Sequence, residues 1–168
     1  TVYAGFYRAE ELFLKEQYAA ASKEFHDFTQ TYNQFEDPLY VKARYYEGLS
    51  ALELYQNDGV DLLEAFNQQY PESIYKNAIL FRLGKYYYQK KDYEKVLLWF
   101  NQLQAADVEP EDKDEFYFKL GYAYFDQKML IESRSAFHEV KDGTSQYANP
   151  SLYYYSHIAY VFGSYQTA

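Results

Sequence analysis

Apolar positions recur along this chain at helical spacing, in short bursts separated by breaks. In LFRLGKYYYQKKDYEKVLLWF, residues 80–100, Leu80, Leu83, Gly84 and Tyr87 fall on one helical face. A break at Lys91-Asp92 follows, and Tyr93, Val96, Leu97, Phe100 and Leu103 then resume the spacing. The pattern predicts two helices joined by a tight turn. Gly84 sits inside the first of them, where glycine costs on the order of 1 kcal/mol relative to alanine. Something must compensate, and a close approach by the second helix would.

The same arrangement recurs. Gly121 in KLGYAYF matches Gly84 in RLGKYYY, and the small residues Ala9, Ser50 and Ser156 extend the series at spacings of 34 to 41 residues. Sixteen residues after each of the first four anchors lies a phenylalanine: Phe25, Phe66, Phe100 and Phe137. Leu49, Leu83, Leu120 and Tyr155 precede the anchors by one, with Arg8 the exception, and Leu12, Tyr87, Tyr124 and Ala159 follow by three, with Glu53 the exception. Tyr18, Tyr93, Leu130 and Tyr165 follow by nine, and Ala21, Leu62, Val96, Ser133 and Ala168 by twelve. Asp37-Pro38 and Asn149-Pro150 place a capping side chain before a proline suited to a first helical turn. Pro71 before Ser73, and Pro110 before acidic residues, mark two further helix starts. Asn57-Asp58-Gly59 and Gly163-Ser164 read as turns inside a unit. The strand-prone run YYYSHIAYVF is the one competing signal, and its alignment with two clearer helices favours helix. The fold expected is all-α: helix–turn–helix four times, in units of approximately 1–36, 38–72, 73–110 and 111–145, then a truncated unit over 149–168.

These residues resemble the tetratricopeptide repeat, over nearly the whole chain. The third unit carries the resemblance best, in Leu80, Leu83-Gly84, Tyr87, Asp92-Tyr93, Phe100 and Pro110; the fourth follows with Tyr117, Leu120-Gly121, Tyr124, Ser133 and Phe137. The second unit departs at Glu53 and Gly59 and the first at Arg8. The resemblance implies a right-handed superhelix of stacked helix pairs, since one such unit cannot bury its own apolar face. It also implies that first helices line a concave side, through residues three before, one after and four after each anchor. These are Phe81, Lys85 and Tyr88, then Phe118, Tyr122 and Phe125, then Tyr153, His157 and Tyr160, with Phe6, Glu10 and Phe13 in the first unit and Glu47, Ala51 and Leu54 in the second. Aromatic residues on first helices also pack against the next pair, so core and groove compete for each ring. ARYYEGLSALELY, QQYPES, EFYFKLGYAYF and the stretch from Phe137 to Ala168 are similar to large cell-envelope proteins of this family from Bacteroidetes-type bacteria, which implies a periplasmic or outer-membrane-associated setting.

Composition narrows the chemistry. The 168 residues hold 16 Lys and Arg against 25 Asp and Glu, a net charge of −9. That opposes nucleic-acid binding, which draws on basic contacts to phosphate. There is no cysteine, so disulfides and thiolate metal sites are excluded. No apolar run approaches the ~20 residues that span a bilayer. The opening TVYAGFYRAEE has no initiator methionine and reads as part of a longer chain. Tyrosine occurs 23 times and phenylalanine 13 times, and tyrosine suits a half-exposed face because its ring buries area while its hydroxyl stays hydrogen-bonded.

Catalytic signals are missing. His26 and His138 each stand one residue past a recurring phenylalanine, off the buried face, and read as solvent-facing. No HExxH motif, no phosphate-cradling glycine loop and no serine–histidine spacing occurs. The acidic run EPEDKDE, Glu109 to Glu115, suits a solvated helix entrance. No cofactor and no metal are expected. The chain reads as a non-enzymatic scaffold that binds an extended peptide or partner helix on its aromatic face; the alternative is a glycan-binding or outer-membrane assembly and uptake module. Self-association through the last unit is a further expectation.

Overall fold

The structure, a computed structural model, describes residues 1–167, with side chains described through Gly163. Among the described residues the chain is all α-helical, without a strand. It divides into two compact units, Thr1–Lys76 and the chain from Asn77 on. The first unit holds α1 (Ala4–Leu14), α2 (Tyr18–Thr31), α3 (Pro38–Glu53) and α4 (Asp58–Gln69). The second holds α5 (Lys76–Gln89), α6 (Tyr93–Phe100), α7 (Lys113–Asp126), α8 (Leu130–His138) and α9 (Ala148–Thr167), with two short 3-10 turns, Ala105–Asp107 and Pro110–Asp112, before α7. Each helix packs on the next within α1 to α4 and within α6 to α9.

Four helix pairs turn in the same way. Each first helix ends on a residue in the left-handed region: Glu16, Tyr55, Lys91 and Lys128, with φ between 55° and 60°. The next amide reaches back across the turn, from Gln17 to Leu12 O, Gln56 to Ala51 O, Asp92 to Tyr87 O and Met129 to Tyr124 O, at 2.9–3.0 Å. This is the Schellman ending, which satisfies the last carbonyls of a helix. Glycine is its usual left-handed residue, yet none of the four is glycine. The break expected at Lys91-Asp92 falls on one of these turns.

Counting seven residues back from each turn gives Ala9, Gly48, Gly84 and Gly121. The anchor of the second pair is therefore Gly48, not Ser50. Nine residues separate the left-handed residue from the phenylalanine in the other pairs, but eleven separate Tyr55 from Phe66, so an alignment on phenylalanine alone slips by two. A Cβ on Gly48 would lie 2.5 Å from Leu63 Cδ2, and one on Gly59 would lie 2.7 Å from the Leu52 amide nitrogen. Gly59 thus marks a close approach in the first turn of α4; the expected turn at Asn57-Asp58-Gly59 is centred on Tyr55 instead.

The four recurring phenylalanines, Phe25, Phe66, Phe100 and Phe137, are all fully buried. Each meets the aromatic residue three before its own anchor. Phe6–Phe25 centroids are 5.9 Å apart, Tyr45–Phe66 6.1 Å, Phe81–Phe100 5.8 Å and Phe118–Phe137 5.9 Å. Fully burying one such ring is worth about 1.5–3 kcal/mol. The glycines make room for it: Gly84 and Gly121 each face the phenylalanine ring of the partner helix. At Gly121 the backbone carbonyl left open by the missing side chain accepts a hydrogen bond from buried Ser133 Oγ at 2.8 Å.

Helix starts follow the capping residues in part. Asp37 caps α3, accepting from the Leu39 amide at 2.8 Å, with Pro38 in the first turn. Asp92 caps α6 through the Lys95 amide at 3.3 Å. Asn149 is no cap, because α9 already begins at Ala148. The run YYYSHIAYVF is helix, and so is Gly163-Ser164, where a turn was expected. No glycine among the described residues has positive φ. The side chains of Tyr165 and Ala168, two repeat positions, lie outside the described residues.

Candidate functional site

The three first helices of the second unit, α5, α7 and α9, carry all nine candidate residues, and the structure sorts them by depth. Phe81 is core, only 7 % exposed, packed on Phe100 and 6.4 Å from Phe116. It lies beneath the face rather than on it, packed against both Phe100 and Phe116. Lys85, Tyr88, Phe118, Tyr122 and Phe125 are half-buried. Tyr153, His157 and Tyr160 on α9 are exposed, the two tyrosines by 67 % and 75 %.

The half-buried rings form one connected sheet across the helices. Tyr88 and Tyr93 both meet Tyr122, at 6.0 Å and 5.2 Å. Tyr122 meets Tyr154 at 5.6 Å, Phe125 meets Tyr154 at 5.2 Å, and Phe125 reaches His157 at 6.2 Å. Phe118 joins through Tyr147 at 5.4 Å. Burial pushes the Tyr88 hydroxyl up to about 12 and raises Tyr93, Tyr147 and Tyr154 as well. The common first cause is burial, which marks these rings as a largely dehydrated, apolar floor.

A charged cluster borders the rings. Glu115 Oε2 accepts from Lys119 Nζ at 2.9 Å and from the Tyr147 hydroxyl at 3.1 Å, and Lys85 Nζ lies 3.6 Å from Glu115 Oε1. Lys119 also sits over the Tyr88 ring and Lys85 over the Phe81 ring, at 5.1 Å and 4.6 Å from the centroids. Burial lowers the Lys85 ammonium below its ordinary value. The acidic run from Glu109 to Glu115 predicts a solvated helix entrance, yet Glu115 is half-buried in this cluster; Lys119, Tyr147 and Tyr154 carry no signal in the repeat offsets. The Glu115–Lys119 spacing of four was the one legible hint; Tyr147 arrives from a loop that periodicity does not reach.

The first unit offers a different surface. Phe6 is core, Phe13 packs on Tyr46 at 4.5 Å, and Glu10 pairs with Lys42 at 2.8 Å. Glu47 and Ala51, expected on an open face, are buried. The two-residue slip of register accounts for this: Glu47 turns toward α2, where its Oε1 lies 2.8 Å from His26 Nδ1 and its Oε2 accepts from Thr29 Oγ1 at 3.3 Å. His26 and His138 are exposed, as their positions predict.

Among the described residues no group of three or more His, Asp or Glu is placed to hold a metal ion. Among the described residues no helix is long and apolar enough to cross a membrane. No family model matches the chain, and no curated protein matches it either.

Proposed function

We propose that this chain is a non-enzymatic interaction scaffold of the tetratricopeptide-repeat type, which takes an extended peptide or a partner helix on the α5–α7–α9 face. The observation that carries the reading is the connected run of rings from Tyr88 through Tyr122, Phe125 and Tyr154 to exposed Tyr153, with Tyr160 exposed on the same helix. A contiguous, partly exposed aromatic surface of this kind usually marks an interaction site. Its rings offer area, and its neutral phenols offer hydrogen bonds to a peptide backbone. With a net charge of −9, the surroundings favour a neutral or basic partner. The identical Schellman turns and buried phenylalanines support the repeat type. A periplasmic setting is proposed from the resemblance of the quoted stretches to envelope proteins of this family alone.

The test is a parallel screen of the folded chain against an array of neutral and basic 15-residue peptides and an array of oligosaccharides. Peptide binding is expected, weakened about tenfold or more by Tyr153→Ala and by Tyr122→Ala, a loss of about 1.4 kcal/mol or more. Tyr153 is exposed, so its replacement leaves helicity unchanged. Leu98→Ala, at an exposed position on α6, should bind as the parent does. Binding confined to oligosaccharides, or indifference to both tyrosine variants, overturns the peptide reading.

A further inference from the structure

We infer that the α5–α7–α9 face recognises one basic side chain, a lysine or arginine of the bound peptide, at the rings of Tyr93 and Tyr122 and the carboxylate of Asp126, a specificity that rests on the peptide reading of that face.

The chain shows with its own lysines what a ring beside a carboxylate holds. Lys42 pairs with Glu10 at 2.8 Å and lies over the Tyr46 ring, 5.5 Å from its centroid. Lys119 pairs with Glu115 at 2.9 Å and lies over the Tyr88 ring at 5.1 Å. Lys85 does the same with Glu115 and Phe81, Lys95 with Asp92 and Tyr87, and Lys141 with Asp142 and Tyr155. In each case one ammonium is held from one side by a carboxylate and from the other by the negative face of a ring.

One turn beyond Lys119 on α7, ring and carboxylate recur with no lysine of the chain between them. Tyr122 meets Tyr93 at 5.2 Å and Tyr154 at 5.6 Å, with the ring planes inclined at 58° and 83°. Asp126 stands four residues after Tyr122, on the same side of the helix, and its charge acts on the Tyr93 hydroxyl. Among the described residues no lysine or arginine pairs with Asp126 or lies over Tyr93, Tyr122 or Tyr154; the carboxylate accepts a hydrogen bond from Gln127 Nε2 at 2.9 Å. Asp126 is also the last residue of α7, the end at which the helix dipole disfavours a carboxylate. Helix stability therefore gives no reason for a negative charge there, whereas a bound cation does.

Charge selects the occupant. The net charge of −9 draws cations toward the chain. Lys85 and Lys119 are held by Glu115 near the start of α7, so their charge is offset before the Asp126 end is reached. A neutral side chain would leave Asp126 without a counter-charge beside half-buried rings, and an acidic one would be repelled.

The test compares a neutral peptide carrying one central lysine with the same peptide carrying acetyl-lysine, which keeps the apolar stem and removes the charge. The folded chain should bind the lysine peptide about fivefold or more tightly than its acetylated form. In Asp126→Asn that preference should shrink to less than about twofold, with helicity by circular dichroism unchanged. Asp61→Asn, which removes the same charge from an exposed position on α4, should keep it. Equal binding of the two peptides by the parent chain, or a preference that Asp126→Asn leaves intact, overturns the inference while the peptide reading stands. If neither peptide binds, the peptide reading falls, and Nα-acetyl-lysine amide decides the remaining question by nuclear magnetic resonance of the chain with labelled tyrosine. Saturable shifts of the Tyr93 and Tyr122 ring signals, lost in Asp126→Asn, would uphold the cation site; their absence would overturn it.

Discussion

Gly84 packs against the ring of Phe100, so close that a Cβ on the glycine would clash with Cε1 and Cδ1 of that ring. The helix-breaking residue and the recurring phenylalanine are thus two halves of one contact. Gly84→Ala gains up to about 1 kcal/mol of helix propensity, but must displace a fully buried ring, which costs about 1–3 kcal/mol. A net loss of stability is expected in urea denaturation. Gly5→Ala is the control: its Cβ would meet nothing within 4 Å, so the same change there should be neutral or stabilising. If both variants gain stability, the close-packing account is wrong.

The four left-handed turns predict the opposite sign for glycine. Lys128 is exposed at φ 60°, a conformation that costs an L-residue roughly 1–2 kcal/mol. Lys128→Gly should stabilise the chain by about 1 kcal/mol after the entropy of the unfolded state is counted. Lys128→Val should destabilise it, since a β-branched side chain tolerates this region worst. Denaturation midpoints for the two variants must fall on opposite sides of the parent.

Glu115 ties the charged cluster to pH. Burial alone would raise its carboxyl, but the hydrogen bond and charge of Lys119, with Lys85 behind them, hold it below the ordinary range. A folded value below the unfolded one contributes stability that is complete above the ordinary carboxylate value. That contribution disappears as pH falls through the depressed value. Glu115→Gln should therefore cost about 1–3 kcal/mol at pH 7, and progressively less in acid below about pH 4. An equal penalty at pH 7 and pH 3 would show that the charge has no part in it.

Alkali should act through the buried phenols. The Tyr88 hydroxyl is raised to about 12 by burial, and the same cause raises Tyr93, Tyr117, Tyr147 and Tyr154. A raised folded value means stability that is whole below the ordinary tyrosine value near 10 and is lost as pH climbs through the raised one. Absorbance at 295 nm should rise in two stages. Exposed tyrosines ionise first, and the second stage should coincide with loss of helical signal at 222 nm. A single tyrosinate transition with helicity intact would contradict the packing described.

The helices were legible because amphipathic periodicity is local. Each face repeats within a few residues, so Leu80, Leu83, Tyr87 and their counterparts announce a helix without any neighbour present. The burial of Phe25, Phe66, Phe100 and Phe137 was legible for the same reason, multiplied by recurrence. The repeat failed in the second pair, where extra residues after Tyr55 break the count and Gly48 rather than Ser50 takes the close approach.

What the residues alone determined is the number of paired helices through α8, their spacing, and the small-against-large contact at their centre. Only the tertiary structure decided which aromatic positions sink and which stay open. Phe81 and Tyr153 hold the same offset from their anchors, yet one is core and the other solvent-facing. Phe100 of the partner helix packs on Phe81, whereas the ring that Tyr153 meets is its chain neighbour Tyr154. Likewise Glu115, Lys85 and Tyr147 come from two helices and a loop, and no periodicity along the chain relates them. Their meeting follows from how packed helices bring distant residues within hydrogen-bonding reach, a property of the assembled core rather than of any one segment.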